Sequence, residues 1–316
     1  VTGTPNTSVV GLAESLKSMV RGRLLTEEPL SQHTTYGVGG PADLFFLPAD
    51  PEDLMAALPV IREASVPLLS LGGGTNTLVK DAGFRGLVIC LADGMATVSI
   101  DGDGGRVEAG ASTQVFSRRC QRAGRTGFEF GCGIPGTIGG AVWGNAGAWG
   151  GETFDHLVWV RGADLATGME MTFRREEISH GYRRADLPKS YLLLEAAFEL
   201  GEEDPEVISG RMDQMLDERK ASQPLWMRNA GCAFKNPEGG LKPAGLLIDR
   251  NGCKGMSVGN VSVSDVHANF LVTKGGITAA DVLNLIEKVR ARVFQAEGVE
   301  LETEVRIVGE YGVENV

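Results

Sequence analysis

The 316-residue chain contains no apolar run longer than a few residues, so no segment is long enough to cross a bilayer as a helix. It is short of cations: 30 Lys and Arg against 41 Asp and Glu leave a formal charge of −11. A nucleic-acid protein carries a broad basic surface, so neither nucleic acid nor membrane is an expected partner. Cysteine is sparse and irregular. Cys90, Cys120, Cys132, Cys232 and Cys253 are odd in number, show no C-x-x-C spacing, and follow no secretory pattern. A reduced, cytoplasmic compartment is the expectation, and nothing calls for a metal. There is no G-x-x-x-x-G-K-[ST], which argues against a P-loop kinase or ATPase.

What is plentiful is glycine: 44 of 316 residues, roughly twice the usual ~7%. It is clustered rather than periodic, a pattern that suggests close backbone approach to a ligand. One cluster, Gly72-Gly73-Gly74-Thr75-Asn76, follows a strand read over 67–71 and can present several backbone N–H groups to one anion. A second spans residues 131–140. Its Gly131-Cys132-Gly133-Ile134-Pro135-Gly136 matches G-x-G-x-x-G literally, but a helix precedes it and Pro135 stiffens a loop, so the strand-turn-helix context of a dinucleotide fold is missing. Gly136-Thr137-Ile138-Gly139-Gly140-Ala141 suits a backbone lying against a flat or extended ligand. The competing reading is two tight turns with no ligand.

The hydrophobic pattern describes an α+β chain with mixed sheets and several domains. Leu12, Leu16, Met19 and Val20 repeat at helical spacing, and Asp50-Pro51-Glu52-Asp53 is a helix start that points Leu54, Ala57, Leu58 and Ile61 to a core. Ser112 caps a helix to about residue 123, residues 124–151 read as a long glycine-rich loop with one short helix, and strands are expected over 156–163, 167–173 and 190–199. Asp204-Pro205 and Thr278 open two further helices. The final segment, 299–308, alternates as a strand. Between residues 219 and 242, Arg219, Lys220, Arg228, Lys235 and Lys242 face Glu238 alone, which offers a local basic pocket for an anionic substrate; scattered surface charge explains the count equally well.

Several stretches together resemble one family. His33-Thr34-Thr35-Tyr36-Gly37-Val38-Gly39-Gly40, Leu71 to Asn76, and Gly133 to Ala141 are similar to the corresponding motifs of UDP-N-acetylenolpyruvoylglucosamine reductases. So are Gly181-Tyr182-Arg183, Phe234-Lys235-Asn236-Pro237, His267-Ala268-Asn269-Phe270 and Glu304-Val305-Arg306, all in the family's order. The resemblance implies a two-lobed FAD-binding domain of the vanillyl-alcohol-oxidase type followed by a smaller α+β substrate-binding domain. The lobes would be residues 1–93, with 305–316 returning to them, and 94–205; the substrate domain would be 206–304. It implies non-covalent FAD, NADPH as co-substrate, UDP-N-acetylglucosamine enolpyruvate as substrate, and no obligatory protein partner. On this reading Tyr36, Gly72, Gly73, Gly74, Thr75, Asn76, Gly133, Ile134, Pro135, Gly136, Thr137, Gly139, Gly140 and Ala141 line the flavin.

The resemblance also assigns chemistry to residues that pattern alone leaves bland. Arg183, otherwise a loop arginine beside Arg184, becomes the cation that holds charge on the substrate carboxylate. Glu304, one of several glutamates on an alternating segment, becomes its assistant. Cys232 stands where the family usually carries a serine proton donor; a thiol, with a reference pKa of about 8.5, is the stronger acid. Tyr182, Arg219, Gln223, Lys235, Asn236 and His267 are expected to contact the nucleotide sugar or NADPH, although Arg219 and Gln223 also read as a helix-terminal surface pair. The short connection from 201 to 231 resembles the group of relatives lacking an extra tyrosine-bearing loop. The competing functions are an FAD-dependent oxidase of small alcohols and a catalytically silent flavin- or nucleotide-sugar-binding module.

Overall fold

A computed structural model describes residues 7–92 and 94–314. Residues 1–6, 93, 315 and 316, at the edges of the expected domain ranges, lie outside the described residues. The chain is α+β with mixed sheets and packs as two compact units. The first takes residues up to Glu27, then Asp43–Gly73 and Gly86–Glu218; the second takes Glu28–Ala42, Gly74–Arg85 and everything from Arg219 onward. Among the described residues no helix is long and apolar enough to cross a membrane.

The first unit is built on two sheets. One has the strand order Arg23–Pro29, Pro41–Leu47, Phe84–Cys90, Leu68–Leu71, the last two running parallel. The other, in the order Glu170–Arg174, Leu157–Asp164, Tyr191–Glu199, Gly104–Glu108, Val98–Asp101, is antiparallel throughout. Helix Pro51–Ala64 begins as its sequence dictates: the extended Asp50 accepts the Asp53 N–H at 2.8 Å and Pro51 occupies the first turn. Leu54, Ala57, Leu58 and Ile61 are buried, as their spacing requires. Helix Thr113–Arg122 is capped by Ser112 and lays Phe116 onto Phe128 and Phe198, with ring centroids 4.8 and 5.2 Å away.

The stretch expected as a long loop with one short helix contains that helix and a turn besides. It holds a 3-10 turn, Glu129–Gly133, and helix Ile138–Trp143, joined through Ile134–Thr137. Glu129 fixes where this run begins. Its carboxylate accepts from the Thr126 hydroxyl at 2.7 Å, the Gly127 N–H at 2.6 Å and Arg211 Nη2 at 2.8 Å, and Arg211 also pairs with Glu203.

In the second unit the strands Ser257–Val258, Val261–Val263 and Leu271–Thr273 form an antiparallel sheet. Helix Ala279–Glu297 starts at a reciprocal cap between Thr278 and Asp281 and buries Val282, Leu285, Ile286, Val289 and Val293. The expected strand over 299–308 needs correction. Only Arg306–Gly309 is a strand, paired in parallel with Thr77–Val79. The alternation is real, since Leu301, Val305 and Ile307 are buried while Glu302 and Arg306 are exposed. The residues before 306, however, give their hydrogen bonds singly to 233–235 rather than to a ladder: Lys235 N–H donates to Glu302 O and Glu304 N–H to Ala233 O, each at 2.9 Å.

Burial raises the Glu129 carboxyl, but the hydrogen bonds it accepts outweigh that effect and hold it below the ordinary glutamate value. A carboxyl lowered on folding contributes stability that is present above its unfolded value and lost as pH falls through the folded one. Glu129→Gln is therefore expected to destabilise the chain by about 1–3 kcal/mol at pH 7 and to flatten the fall of melting temperature below pH 5. Parallel acid-side melting curves for the two proteins would contradict this.

Candidate active site

In the first unit the two glycine runs touch. A Cβ placed on Gly72 would lie 2.4 Å from Thr137 Oγ1, so only glycine permits the approach. Thr137 is tied down in turn. It pairs with Ser112, and its hydroxyl caps helix Ile138–Trp143 by accepting the Gly140 N–H at 3.4 Å. Gly139 lies against Ala109, whose carbonyl accepts the Gly139 N–H at 2.8 Å. Gly133, Thr137 and Ala141 are buried, Ile134, Gly136 and Gly139 are half-buried, and Gly73, Pro135 and Gly140 are exposed. The exposed backbone thus flanks a fixed contact and carries no bulky side chain.

Arg183 belongs to the same unit. It sits at the turn between the two-residue strands His180–Gly181 and Arg184–Ala185 in left-handed backbone, φ +55°. For a non-glycine residue this is a strained conformation, one that persists where the surroundings over-determine it. Its Nη2 donates to Gly147 O at 3.1 Å, and the guanidinium carbon lies 5.3 Å from the centroid of the Tyr182 ring.

The second unit brings together most of the remaining candidates. The first glycine run enters it at Gly74, where a Cβ would fall 1.8 Å from His33 O; the Gly74 carbonyl accepts the Thr35 N–H at 3.2 Å. Asn76, exposed at the end of that run, donates from Nδ2 to Glu304 O at 3.0 Å and accepts the Arg306 N–H at 3.0 Å. Half-buried Thr75 lies between them. Glu304 in turn donates its N–H to Ala233, the neighbour of Cys232. Cys232 is half-buried and forms an isolated backbone bridge to Phe270, and Asn269 fixes Phe234, two residues on, by bonding both its N–H and its C=O at 3.0 and 2.8 Å. The glutamate and the thiol that the sequence marks 72 positions apart therefore lie on adjacent segments.

Other candidates have local duties. Lys235 pairs with Glu302 and Lys242 with Glu238, so at least two of the five cations counted between 219 and 242 are matched by acid, one of them through a residue far along the chain. Asn236 Oδ1 accepts the Ala244 N–H at 2.9 Å and so caps helix Ala244–Arg250. His267 Nδ1 accepts the Asn269 N–H at 3.2 Å, and burial lowers its proton affinity, which keeps the ring neutral near pH 7. Arg219 and Gln223 are joined through the helix end, Gln223 N–H to Arg219 O at 2.9 Å, with Gln223 Oε1 buried and unmatched among the described residues.

These residues fit a flavin nucleotide. Beside the first glycine run, the buried Thr35 hydroxyl has no hydrogen-bond partner among the described residues, and the fully buried Tyr36 hydroxyl meets the Ala230 backbone without completing a good bond. Exposed main chain at Gly73 and Gly140 is the kind of surface against which a flat or phosphate-bearing ligand lies. Sequence reasoning missed Asn145, fully buried behind Arg183, and Trp149, whose indole N–H donates to Glu218 at 2.9 Å. Both have positive φ. An asparagine inside a glycine-rich loop was the one available signal, since asparagine tolerates left-handed backbone.

The chain is similar to known proteins. Residues 42–174 match the family model described as FAD binding domain, and residues 223–308 match UDP-N-acetylenolpyruvoylglucosamine reductase, C-terminal domain. The UDP-N-acetylenolpyruvoylglucosamine reductase of Geotalea uraniireducens is 43% identical over 297 residues, covering 93% of this chain and 97% of its own. That of Geobacter sulfurreducens is 42% identical over 299 residues, covering 95% and 98%. The crystal structure of the reductase from Thermus caldophilus matches with a TM-score of 0.77 and 36% identity, over 91% of this chain and 98% of that one.

The contact between the glycine runs is directly testable. Gly72→Ala is expected to lower the melting temperature by several degrees, and to do so much less in a Thr137→Ala background, where the clashing hydroxyl is gone. Equal losses in the two backgrounds would mean that the runs do not meet there.

Proposed function

Because the chain belongs to the UDP-N-acetylenolpyruvoylglucosamine reductase family, we propose that it reduces UDP-N-acetylglucosamine enolpyruvate to UDP-N-acetylmuramate in the cytoplasm, with NADPH as reductant. The observation that carries the residue assignment is the adjacency of Cys232 and Glu304, held by Glu304 N–H to Ala233 O and by Asn76 of the first glycine run. The flavin would be held by the two glycine runs with Thr35, Tyr36, Thr75 and Asn76. The chemistry that FAD would supply there is hydride transfer, from NADPH to C3 of the enolpyruvyl ether.

The protein's part is electrostatic and acid-base. Hydride arrival at C3 leaves an electron pair at C2 that delocalises into the substrate carboxylate as an enolate. A fixed guanidinium stabilises that charge without reorganising, and the role is assigned to Arg183, whose guanidinium is anchored at Gly147 O. The Cys232 thiol then gives its proton to C2, its S–H electron pair staying on sulfur, and the thiolate recovers a proton from solvent. Glu304, on the segment beside Cys232, assists in polarising the carboxyl or in proton management. Tyr182, Arg219, Gln223, Lys235, Asn236 and His267 are assigned to the nucleotide sugar or NADPH. The chain is further assigned to the group without the tyrosine-bearing loop, since helix Pro205–Ser222 occupies most of the 201–231 connection.

Purified protein should be yellow and should oxidise NADPH only after the enolpyruvyl substrate is added. Colourless protein, or oxygen uptake with an alcohol donor and no dependence on the nucleotide sugar, would overturn the assignment. Cys232→Ala should lower kcat by about 10²–10⁴-fold, whereas Cys232→Ser, which keeps an X–H group, should retain substantial turnover. Full turnover in the alanine variant would remove Cys232 from the proton-donor role.

A further inference from the structure

Asn145 is wholly buried in left-handed backbone, φ +37°, just beyond helix Ile138–Trp143, which the second glycine run opens. A buried primary amide must satisfy both of its ends, and this one does so on two different segments. Nδ2 donates to Gly181 O, and Oδ1 accepts the Phe154 N–H, each at 3.1 Å. Gly181 is the last residue before the turn that carries Tyr182 and Arg183. Two residues after Asn145, Gly147 O accepts from the Arg183 guanidinium. A single three-residue stretch therefore grips the base of the turn and the head of its arginine.

The second arm reinforces the first. Phe154, whose N–H Asn145 holds, stacks on His180 with centroids 4.4 Å apart and planes inclined by 21°, and the Phe154 carbonyl accepts from Arg175 Nε at 2.7 Å. The strand that leads into Arg183 is thus held at both of its residues, His180 and Gly181, by groups that Asn145 connects. This arrangement provides the over-determination that the arginine's strained backbone requires.

We propose that Asn145 is a positioning residue for Arg183: it ties the arginine-bearing turn to the segment that continues from the second glycine run, so the guanidinium is located by the same wall that would hold the cofactor. The proposal rests on the assignment of Arg183 to the substrate carboxylate. Loss of the Nδ2 to Gly181 bond frees the turn, and a displacement of about 1 Å at a charge-stabilising group costs on the order of 10²-fold in rate. The effect belongs to kcat, because the charge that Arg183 meets develops in the transition state.

The test is a double-mutant cycle. Asn145→Gly removes both amide bonds while keeping the left-handed backbone accessible. It is expected to lower kcat by 10–100-fold with the KM for NADPH within twofold of the parent, flavin content retained, and less than twofold further loss when added to Arg183→Ala. A kcat within twofold of the parent, or a full additional loss in the Arg183→Ala background, would overturn the proposal. Should Asn145→Gly fail to fold, Asn145→Asp replaces it. Its ionised carboxylate repels Gly181 O while its protonated form can donate to it, so kcat relative to the parent should rise as pH falls; a flat ratio would overturn the proposal. Parent-like turnover in Arg183→Ala alone would instead sink the Arg183 assignment, so the two failures are distinguishable.

Discussion

The constraint on which the candidate site depends is the approach of Gly72 to Thr137, which leaves little room for a side chain and fixes one glycine run against the other. From Thr137 a rigid path leads onward within the first unit. The threonine caps helix Ile138–Trp143, the helix delivers Asn145 into the interior, and Asn145 and Gly147 hold the turn that bears Arg183. The strained backbone of the arginine is understandable at the end of this path, because each link is a short contact between groups that are themselves tied down. A site that must stabilise charge at one place benefits from such a chain more than from any single strong bond.

The run that begins at Gly72 has a second duty four residues later. Asn76 belongs to the second unit and bonds main chain on either side of Val305, so the loop that meets Thr137 at one end supports Glu304 at the other. Glu304 is joined to Ala233, and Cys232 is thereby held beside it. Under the proposed function Arg183 receives developing negative charge and Cys232 releases a proton.

Local signals made much of the fold legible in the sequence. Asp50-Pro51 and Thr278 start helices where their capping chemistry places them, and the buried faces of both helices follow the apolar spacing. The final strand was overread because alternation reports which side of an extended chain is buried, not whether a partner ladder exists; here residues before Arg306 bond singly to 233–235. The glycine-rich loop contains the short helix expected of it, whereas the 3-10 turn before that helix was not legible, since glycine conceals a turn that tertiary contacts impose. The basic stretch lost part of its apparent excess to Glu302, a partner no local window contains. Arg183, Cys232 and Glu304 were reachable only through motif resemblance, as composition and periodicity left each of them bland. Asn145 escaped because its partners, Phe154 and Gly181, lie 9 and 36 positions away.

The central claim is that the protein's own groups act when the enolpyruvyl ether is reduced, not when NADPH gives up its hydride. The most direct test is a stopped-flow separation of the two half-reactions in Arg183→Ala, following the flavin absorbance. The account predicts reduction by NADPH at close to the parent rate and reoxidation by UDP-N-acetylglucosamine enolpyruvate slowed at least 100-fold. Equal slowing of both half-reactions, or reoxidation at the parent rate, would contradict it.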